Sequence, residues 1–485
     1  MLNHKTIQSA LGLLLFVEAI MLTGCLGVGI VYREEDWLPF ALSAIVALAL
    51  GLVLRAGGRG AQGVMGRRDG YMVVTLCWVL FSVVGTLPFL LSGAEPRLAA
   101  AFFETTSGFT TTGATALSQI DTLPHSILFW RSLTHWVGGM GIIFFLAALL
   151  PQMNMGEQKM FAAETTGLKI SKLHPRFTTT AHWLGGLYLI MTVVCAVVYF
   201  FAGMGPFDAI NHAMSTMSTG GFSTHAASIA WFQSPTLEWL VALFMFLGGV
   251  NFTLLFLLVV KRRLRPLRRD GELRVYVGML LIMTLYCGLT LVFAQGRDVM
   301  EALRVGLFNV TSLMTTTGFT TENFMLWPKN VWLPLMFITA IGACAGSTSG
   351  GIKIVRLLAI WKVTTREFKR MLHPRAVFPI RVNGVMIDGN VVRSIFVFFV
   401  CYFALTFVGT LLMMCMGIPV LDSFSCCITA LSNVGPGLGY MVGPLDSYAA
   451  YPDGALWINA FLMLAGRLEI FAVMLLFAPD FWRQR

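Results

Sequence analysis

The chain has 485 residues, 56% of them hydrophobic and 12% charged, with a mean hydropathy of +0.75 and a formal charge of +10. A soluble domain carries roughly a quarter charged residues, so the composition excludes a large water-soluble domain and indicates an integral membrane protein. The basic residues fall between apolar runs, where they set topology, which argues against nucleic acid as a partner.

Apolar runs of about 20 residues, the length that crosses a bilayer as a helix, recur from end to end. Two helices are expected first, over 7–32 and 37–55. The run from Leu11 to Ile30 contains Glu18 and precedes no small-residue cleavage site, so it reads as a retained helix and not a secretory signal. Glu18 is expected to be paired or to sit at a helix interface. A helix over 71–92, a short segment over 99–111, a Thr/Gly loop and a helix over 125–150 follow. The same order returns as 181–203, 207–218, loop and 235–260, then as 273–295, 301–316, loop and 328–363. It returns once more as 391–417, 421–433, loop and 453–478. The short segments hold about a dozen residues, too few to span, and fit re-entrant half-helices. Ten spanning and four re-entrant helices result.

The loops repeat one motif. Thr110-Thr111-Thr112-Gly113 is followed by Ser218-Thr219-Gly220-Gly221, Thr316-Thr317-Gly318 and Asn433-Val434-Gly435, with intervals of 107, 98 and 117 residues between Gly113, Gly220, Gly318 and Gly435. A four-fold internal repeat points to four copies of one membrane hairpin around a shared axis. Charge agrees with that layout. Arg55, Arg59, Arg67 and Arg68 share one connection, Lys159, Lys169, Lys172 and Arg176 the next on that side. Lys261 to Arg274 and Lys362 to Arg381 supply two more basic clusters, while Glu34, Glu95, Asp121, Asp298, Glu322 and Asp446 lie in the opposite loops. Basic loops stay cytoplasmic, which puts both termini inside and all four loops dipping in from outside.

Irregular backbone at membrane depth is tolerated where protein buries it or where it lines an aqueous path. Rings of backbone carbonyls can replace the hydration shell of an alkali cation, glycine permits the backbone geometry this needs, and each half-helix aims its negative C-terminal end inward. The four loops are therefore expected to form a carbonyl-lined filter for an alkali cation, with no organic cofactor. Ordinary Gly/Thr helix packing explains neither the half-helices nor the spacing.

Two features break the symmetry. Ile341 to Lys353 contains Gly346, Ser347, Thr348, Gly350 and Gly351, and each glycine costs about 1 kcal/mol against alanine in a helix. An unwound loop beneath the filter is expected, partly closing the route to the cytoplasm. Arg467 stands mid-helix, where a charge is costly unless it faces water, carbonyls or a partner. Glu469, two residues on, cannot share its face. Arg467 is therefore expected to reach into the pore below the filter, either repelling the cation or bracing carbonyls. Glu104 is expected to cap the first half-helix. His135, His182 and His212 read as structural histidines, the nine cysteines show no CxxC or Cys/His metal spacing, and the 27 methionines are dispersed.

On these motifs the chain resembles the Trk/Ktr/HKT superfamily of potassium transporters, and within it the bacterial Trk-type pore subunits, over 71–478, with the two N-terminal helices matching as well. The resemblance implies an all-α membrane protein of four membrane-pore-membrane repeats in pseudo-four-fold arrangement plus two N-terminal helices. Its parts are two N-terminal helices over 1–70, repeat 1 over 71–150, and a connection with repeat 2 over 151–260. Repeat 3 with an intramembrane gating loop covers 261–363, and a connection with repeat 4 covers 364–485. The resemblance also implies K+ as the transported ion, held on the carbonyls of Thr111, Thr112, Gly113; Ser218, Thr219, Gly220; Thr316, Thr317, Gly318; and Asn433, Val434, Gly435, and of the potassium-channel filter TVGYG the four loops share one glycine. Sodium-preferring plant relatives resemble a replacement of the first-loop glycine by serine, so Gly113 favours K+. The resemblance further implies gating by the loop and Arg467, a homodimer in the lipid of a bacterial inner membrane, and a TrkA-like cytosolic nucleotide-binding partner with RCK domains. Segments 151–180 and 362–390 are candidate docking sites for that partner. The alternative is a symporter coupling K+ to H+ or Na+, for which Glu104 and Glu469 are the candidate relays. A membrane-embedded enzyme lacks its Ser/His, paired-Asp or haem-ligand constellation.

Overall fold

The computed structural model describes residues 2–34, 37–60, 66–149, 177–383 and 385–483. Two long helices open the chain, α1 (His4–Val31) and α2 (Trp37–Gly57), packed along each other. Then come α3 (Arg67–Gly85), α4 (Leu87–Ser92), the half-helix α5 (Leu98–Phe109) and α6 (His125–Leu149). The second unit holds α7 (Phe177–Phe201), α8 (Pro206–Met217), α9 (Pro235–Gly248) and α10 (Phe252–Val259). After the short α11 (Arg265–Arg269), the third holds α12 (Gly271–Gln295), α13 (Val299–Met314), α14 (Trp332–Ala340) and α15 (Ile354–Leu372). The fourth holds α16 (Gly389–Met414), α17 (Val420–Ser432), α18 (Asp453–Arg467) and α19 (Phe471–Phe477).

Polarity runs inside out relative to a soluble domain. Ile20, Val53, Phe201, Phe293 and Val400 stand more than 60% exposed on the outer faces of five long helices. The threonines, serines and asparagine of the four loops are buried at the centre. Lipid is the solvent that satisfies the first pattern, because backbone polar groups within each helix are paired internally.

Six helices are long and apolar enough to cross a bilayer, or eight if the bent pairs α9–α10 and α18–α19 each count as one. The remaining two of the ten expected spans are α6, with 25 residues, and the divided α14–α15. The helices expected to be continuous over 235–260 and 453–478 are in fact broken, by 107° and 116°. In the first, Gly249 and Val250 leave the helix and the Asn251 side chain caps α10 by accepting from the Thr253 N–H at 2.8 Å. In the second, Glu469 and Ile470 take left-handed φ of 57° and 60° as Glu469 turns out to meet Arg356 at 2.7 Å.

The fold is all-helical as expected, with one short two-stranded hairpin among the described residues, β1 (Arg381–Val382) and β2 (Val385–Met386). Asn383, at φ 49°, ties it to the start of α12 through Gly271 N–H at 2.7 Å and Asp270 Oδ2 at 2.9 Å. Of the expected docking connection over 151–180, residues 151–176 lie outside the described residues, as does the side chain of His182.

Candidate functional site

Each half-helix ends in the same turn. Thr111, Thr219, Thr316 and Asn433 take left-handed φ of 53°, 55°, 59° and 56°. The next N–H in each loop reaches back five residues: Thr112 to the Ser107 carbonyl, Gly220 to Ser215 and Thr317 to Ser312 at 2.9 Å, and Val434 to Thr429 at 2.8 Å. This is the Schellman turn, which ordinarily places glycine at its left-handed position. A β-branched threonine there is an outlier that costs roughly 1–2 kcal/mol. Such strain persists only where the surroundings over-determine it, characteristically at functional sites.

The turns also correct the register of the second loop. The residue two beyond the left-handed threonine is Gly113, Gly221 and Gly318, with φ of 80°, 85° and 85°. Ser218 therefore occupies the helix-end place of Thr110 and Thr315, and the triplet matching Thr111-Thr112-Gly113 is Thr219-Gly220-Gly221. Adjacent glycines at 220 and 221 fit either register; the backbone selects the later one.

The four loops meet in cyclic order. A Cβ on Gly113 would overlap the Gly220 carbonyl oxygen, one on Gly221 the Thr317 carbonyl oxygen, and one on Gly435 would lie 2.7 Å from the Gly113 carbonyl. One on Gly318 would lie 2.9 Å from the Pro436 ring. Hydroxyls brace the loops from behind: Thr110 to Thr112 and Thr315 to Thr317, both at 2.8 Å. The Asn433 amide donates to Thr112 Oγ1 at 3.1 Å and to the Met463 carbonyl at 2.9 Å. Among the described residues no hydrogen bond reaches the carbonyls of Thr111, Thr112, Thr316 or Thr317, although buried backbone carbonyls are nearly always paired. Above the loops opens a cavity of about 240 Å³ lined by all four, including Gly113, Gly221, Gly318 and Gly435. Four helix C-terminal ends converge below it, a field that favours a cation.

The expected unwound segment is present between α14 and α15, and it lies directly under the loops. Gly346 and Gly351 take φ of 74° and 65°, and a bridge joins Ile341 to Ile352 at its neck. Thr348 Oγ1 donates to the Met217 carbonyl at 3.0 Å, and the Gly350 N–H donates to Thr316 Oγ1 at 2.7 Å. Ser347 Oγ meets Ser349 Oγ at 2.7 Å. The breaks in α9–α10 serve this segment: Phe252 N–H donates to the Gly346 carbonyl at 2.9 Å and Asn251 Nδ2 to the Ala345 carbonyl at 2.7 Å. Arg467, buried, donates to the Thr348 carbonyl at 3.0 Å and to the Gly138 carbonyl at 2.7 Å. It clasps the segment to α6, and Glu469 pairs with Arg356 instead.

Glu104 does not cap its half-helix. The helix starts at Leu98 after Pro96 and Arg97, which leaves Glu104 in its middle. Its buried carboxylate pairs with Arg131 of α6 at 2.8 Å. Arg131 was missed from sequence, although a charge inside an apolar run is itself a signal. His135 Nδ1 meets the Gly108 carbonyl at 2.7 Å, and His212 bridges the Asp208 carbonyl at 2.8 Å and Ser223 Oγ at 3.0 Å. Both are packed into the walls of the loops. Glu18 is fully buried on α1, and neither carboxylate oxygen has a hydrogen-bond partner among the described residues.

The chain matches the family model TrkH, described as cation transport protein, over residues 40–484. It is 39% identical to the Trk system potassium uptake protein TrkH of Salmonella typhimurium across the whole of both chains. It is 34% identical to TrkI of Halomonas elongata, across 99% of this chain and 97% of that one. The crystal structure of the potassium transporter TrkH from Vibrio parahaemolyticus superposes with a TM-score of 0.90 at 36% identity, covering 99% of each chain.

Proposed function

The chain belongs to the TrkH family of cation transport proteins, and on that premise we propose that it is the pore subunit of a bacterial potassium-uptake system. It is a transporter and not an enzyme. K+ enters from outside, sheds water onto the carbonyls of Thr111-Thr112-Gly113, Thr219-Gly220-Gly221, Thr316-Thr317-Gly318 and Asn433-Val434-Gly435, and crosses to the cytoplasm past the intramembrane segment. The four loops belong to four membrane-pore-membrane repeats around one axis, with the five-part division of the chain given above. The observation that carries this reading is the shared left-handed turn, which leaves buried carbonyls unpaired where four helix ends meet. An inside-negative potential supplies roughly 2.3 kcal/mol per charge per 100 mV, enough to drive uptake without covalent chemistry.

Gly346 to Gly351 form the gate and Arg467 its latch, since the guanidinium holds the Thr348 carbonyl across the route to the cytoplasm. The subunit sits in the inner membrane with both termini cytoplasmic. It works as a homodimer with a TrkA-like nucleotide-binding partner on its cytoplasmic face. Coupled symport is the weaker reading: Glu104 and Glu469, its two candidate relays, are each held in an ion pair with an arginine.

The test is ion flux into proteoliposomes under K+ and then Na+ gradients, with pH varied. Flux that follows the electrochemical gradient, loses K+ preference in Gly113→Ser and rises in Arg467→Ala is the expected result. Flux that requires a proton gradient and ignores both substitutions would overturn the gated carbonyl filter.

A further inference from the structure

Seven residues before the left-handed residue of each loop stand Glu104, His212, Asn309 and Cys426. All four are buried, and the first three reach across to the strand that leaves their own loop. Glu104 accepts from Thr115 Oγ1 at 3.1 Å and from the Ala116 N–H at 2.8 Å. His212 Nε2 meets Ser223 Oγ at 3.0 Å, and Asn309 Nδ2 donates to Thr321 Oγ1 at 3.1 Å. In the fourth loop the neighbouring Ser425 does this work, accepting from the Leu438 N–H at 2.6 Å, while Cys426 receives the Asn459 amide at 2.8 Å.

Among the described residues the first of these braces is an ion pair, and it reaches a second loop by hydrogen bonds, where His212 does so only by a ring contact with Phe319. Arg131 Nε donates to Glu104 at 2.8 Å, and its Nη1 donates to the Ser223 carbonyl at 2.9 Å. Its guanidinium lies 4.1 Å over the Phe222 ring, whose other neighbour, His135, stacks on it at 4.1 Å from the next turn of α6. The outgoing strand of loop one is thereby joined through Glu104 and Arg131 to the outgoing strand of loop two. Thr115 carries the connection further: its carbonyl accepts from the Tyr448 N–H at 2.8 Å, and the Tyr448 hydroxyl lies 3.4 Å from the Gly435 carbonyl of loop four.

We propose that Glu104 and Arg131 are positioning residues for ion selection: their buried pair sets the spacing between the first and second filter loops, and so decides how well the carbonyls fit K+ over Na+. The inference rests on the carbonyl-filter reading above. A fork-shaped guanidinium bonded to a carboxylate fixes direction as well as distance; Glu104 is fully buried off the cavity, and Arg131 meets the cavity wall beside the Ser223 that it holds. Removing the pair therefore leaves the carbonyls present but their separation unset, which loosens discrimination before it abolishes conduction.

The test is the K+/Na+ flux ratio in proteoliposomes for Glu104→Gln, Arg131→Lys and Thr115→Val. Thr115→Val leaves the ion pair whole and drops the hydroxyl's bonds to Glu104 and from the Leu117 N–H, so it remains informative if a charge variant fails to fold. Leu11→Ala, in a packed cluster remote from the loops, serves as a control matched for lost thermal stability. The expected result is a fall of about tenfold in the ratio for Glu104→Gln and Arg131→Lys and a smaller one for Thr115→Val, with K+ flux retained and the control unchanged. Folded variants that keep the wild-type ratio, or a control that loses it equally, would overturn the proposal. A wild type without K+ preference, or one insensitive to Gly113→Ser, would instead count against the filter reading itself.

Discussion

Replacing Gly221 with alanine tests the register of the second loop. Gly221 has φ 85°, and an added Cβ would overlap the Thr317 carbonyl oxygen of the third loop. The left-handed conformation costs an L-residue roughly 1–2 kcal/mol. Relieving the overlap moves backbone by roughly 1 Å, twice the ~0.5 Å within which a site keeps its working geometry. Gly220 differs, because its added Cβ would meet the ring of His135, with Nε2 at 2.8 Å, and a side chain can be cut away. K+ influx into proteoliposomes at fixed membrane potential should fall at least about tenfold in Gly221→Ala, since 1.4 kcal/mol is already one decade. Adding His135→Ala should restore Gly220→Ala to within about fivefold of wild type, the residue being the lost bond from His135 to the Gly108 carbonyl at 2.7 Å, worth about 1 kcal/mol. It should not restore Gly221→Ala. Wild-type influx in Gly221→Ala, or rescue of both variants alike, would refute the reasoning.

Glu272 accepts from the Ala345 N–H at 2.7 Å and the Val355 N–H at 3.1 Å, closing both ends of the intramembrane segment. Glu272→Ala should lower the thermal midpoint and raise leak, because each orphaned buried donor costs about 1–3 kcal/mol, whereas Glu272→Gln keeps an acceptor and most of the stability; equal losses would contradict the clasp. At the outer surface, partial burial lowers the pKa of His225, but hydrogen bonds and charge from Asp208 and Asp121 outweigh it and raise the pKa above 6.5. A raised folded value means the contribution is full below pH 6.5 and lost as pH rises through that folded value. The stability difference between wild type and His225→Gln should therefore shrink between mildly acidic and alkaline pH, and a constant difference would exclude the pairing. Tyr402→Phe removes the 2.7 Å bond to Ser432 Oγ at the end of the fourth half-helix, and should cost about 1 kcal/mol in unfolding measurements; no change would show that bond to be idle.

How much of this was legible in the sequence depends on the kind of signal each feature leaves. The half-helices announce themselves by length, and the segment from Ile341 to Lys353 by its glycines, because both are composition effects averaged over many residues. The register of loop two was not legible: Gly220 and Gly221 are adjacent, and only the left-handed φ of Thr219 separates them. The break after Arg467 left no trace, since Leu468, Glu469 and Ile470 are ordinary helix formers and the turn is made by a long-range pull, Arg356 on Glu469. Glu104 was misplaced because an acidic residue near a helix start suggests a cap, whereas its partner Arg131 lies 27 residues away. Pairings of that range are set by tertiary packing, and one sequence carries no record of them.

The asymmetry between the loops has a mechanical consequence. The intramembrane segment touches loop two through Thr348 and the Met217 carbonyl, and loop three through Gly350 and Thr316. It also packs against loop four, where a Cβ on Gly350 would collide with the Ser432 carbonyl. To loop one its connection is indirect, through Arg467 and the Gly138 carbonyl of α6. Under the gating proposed above, withdrawal of the segment would break bonds to two of the loops and unpack a third, while loop one stays held to α6 by Arg131 and Glu104. A pore of four identical subunits would release its loops together. On that proposal three of the four loops would rest on the gate and the first on a buried ion pair, so opening the path below the loops and resetting them would be one motion.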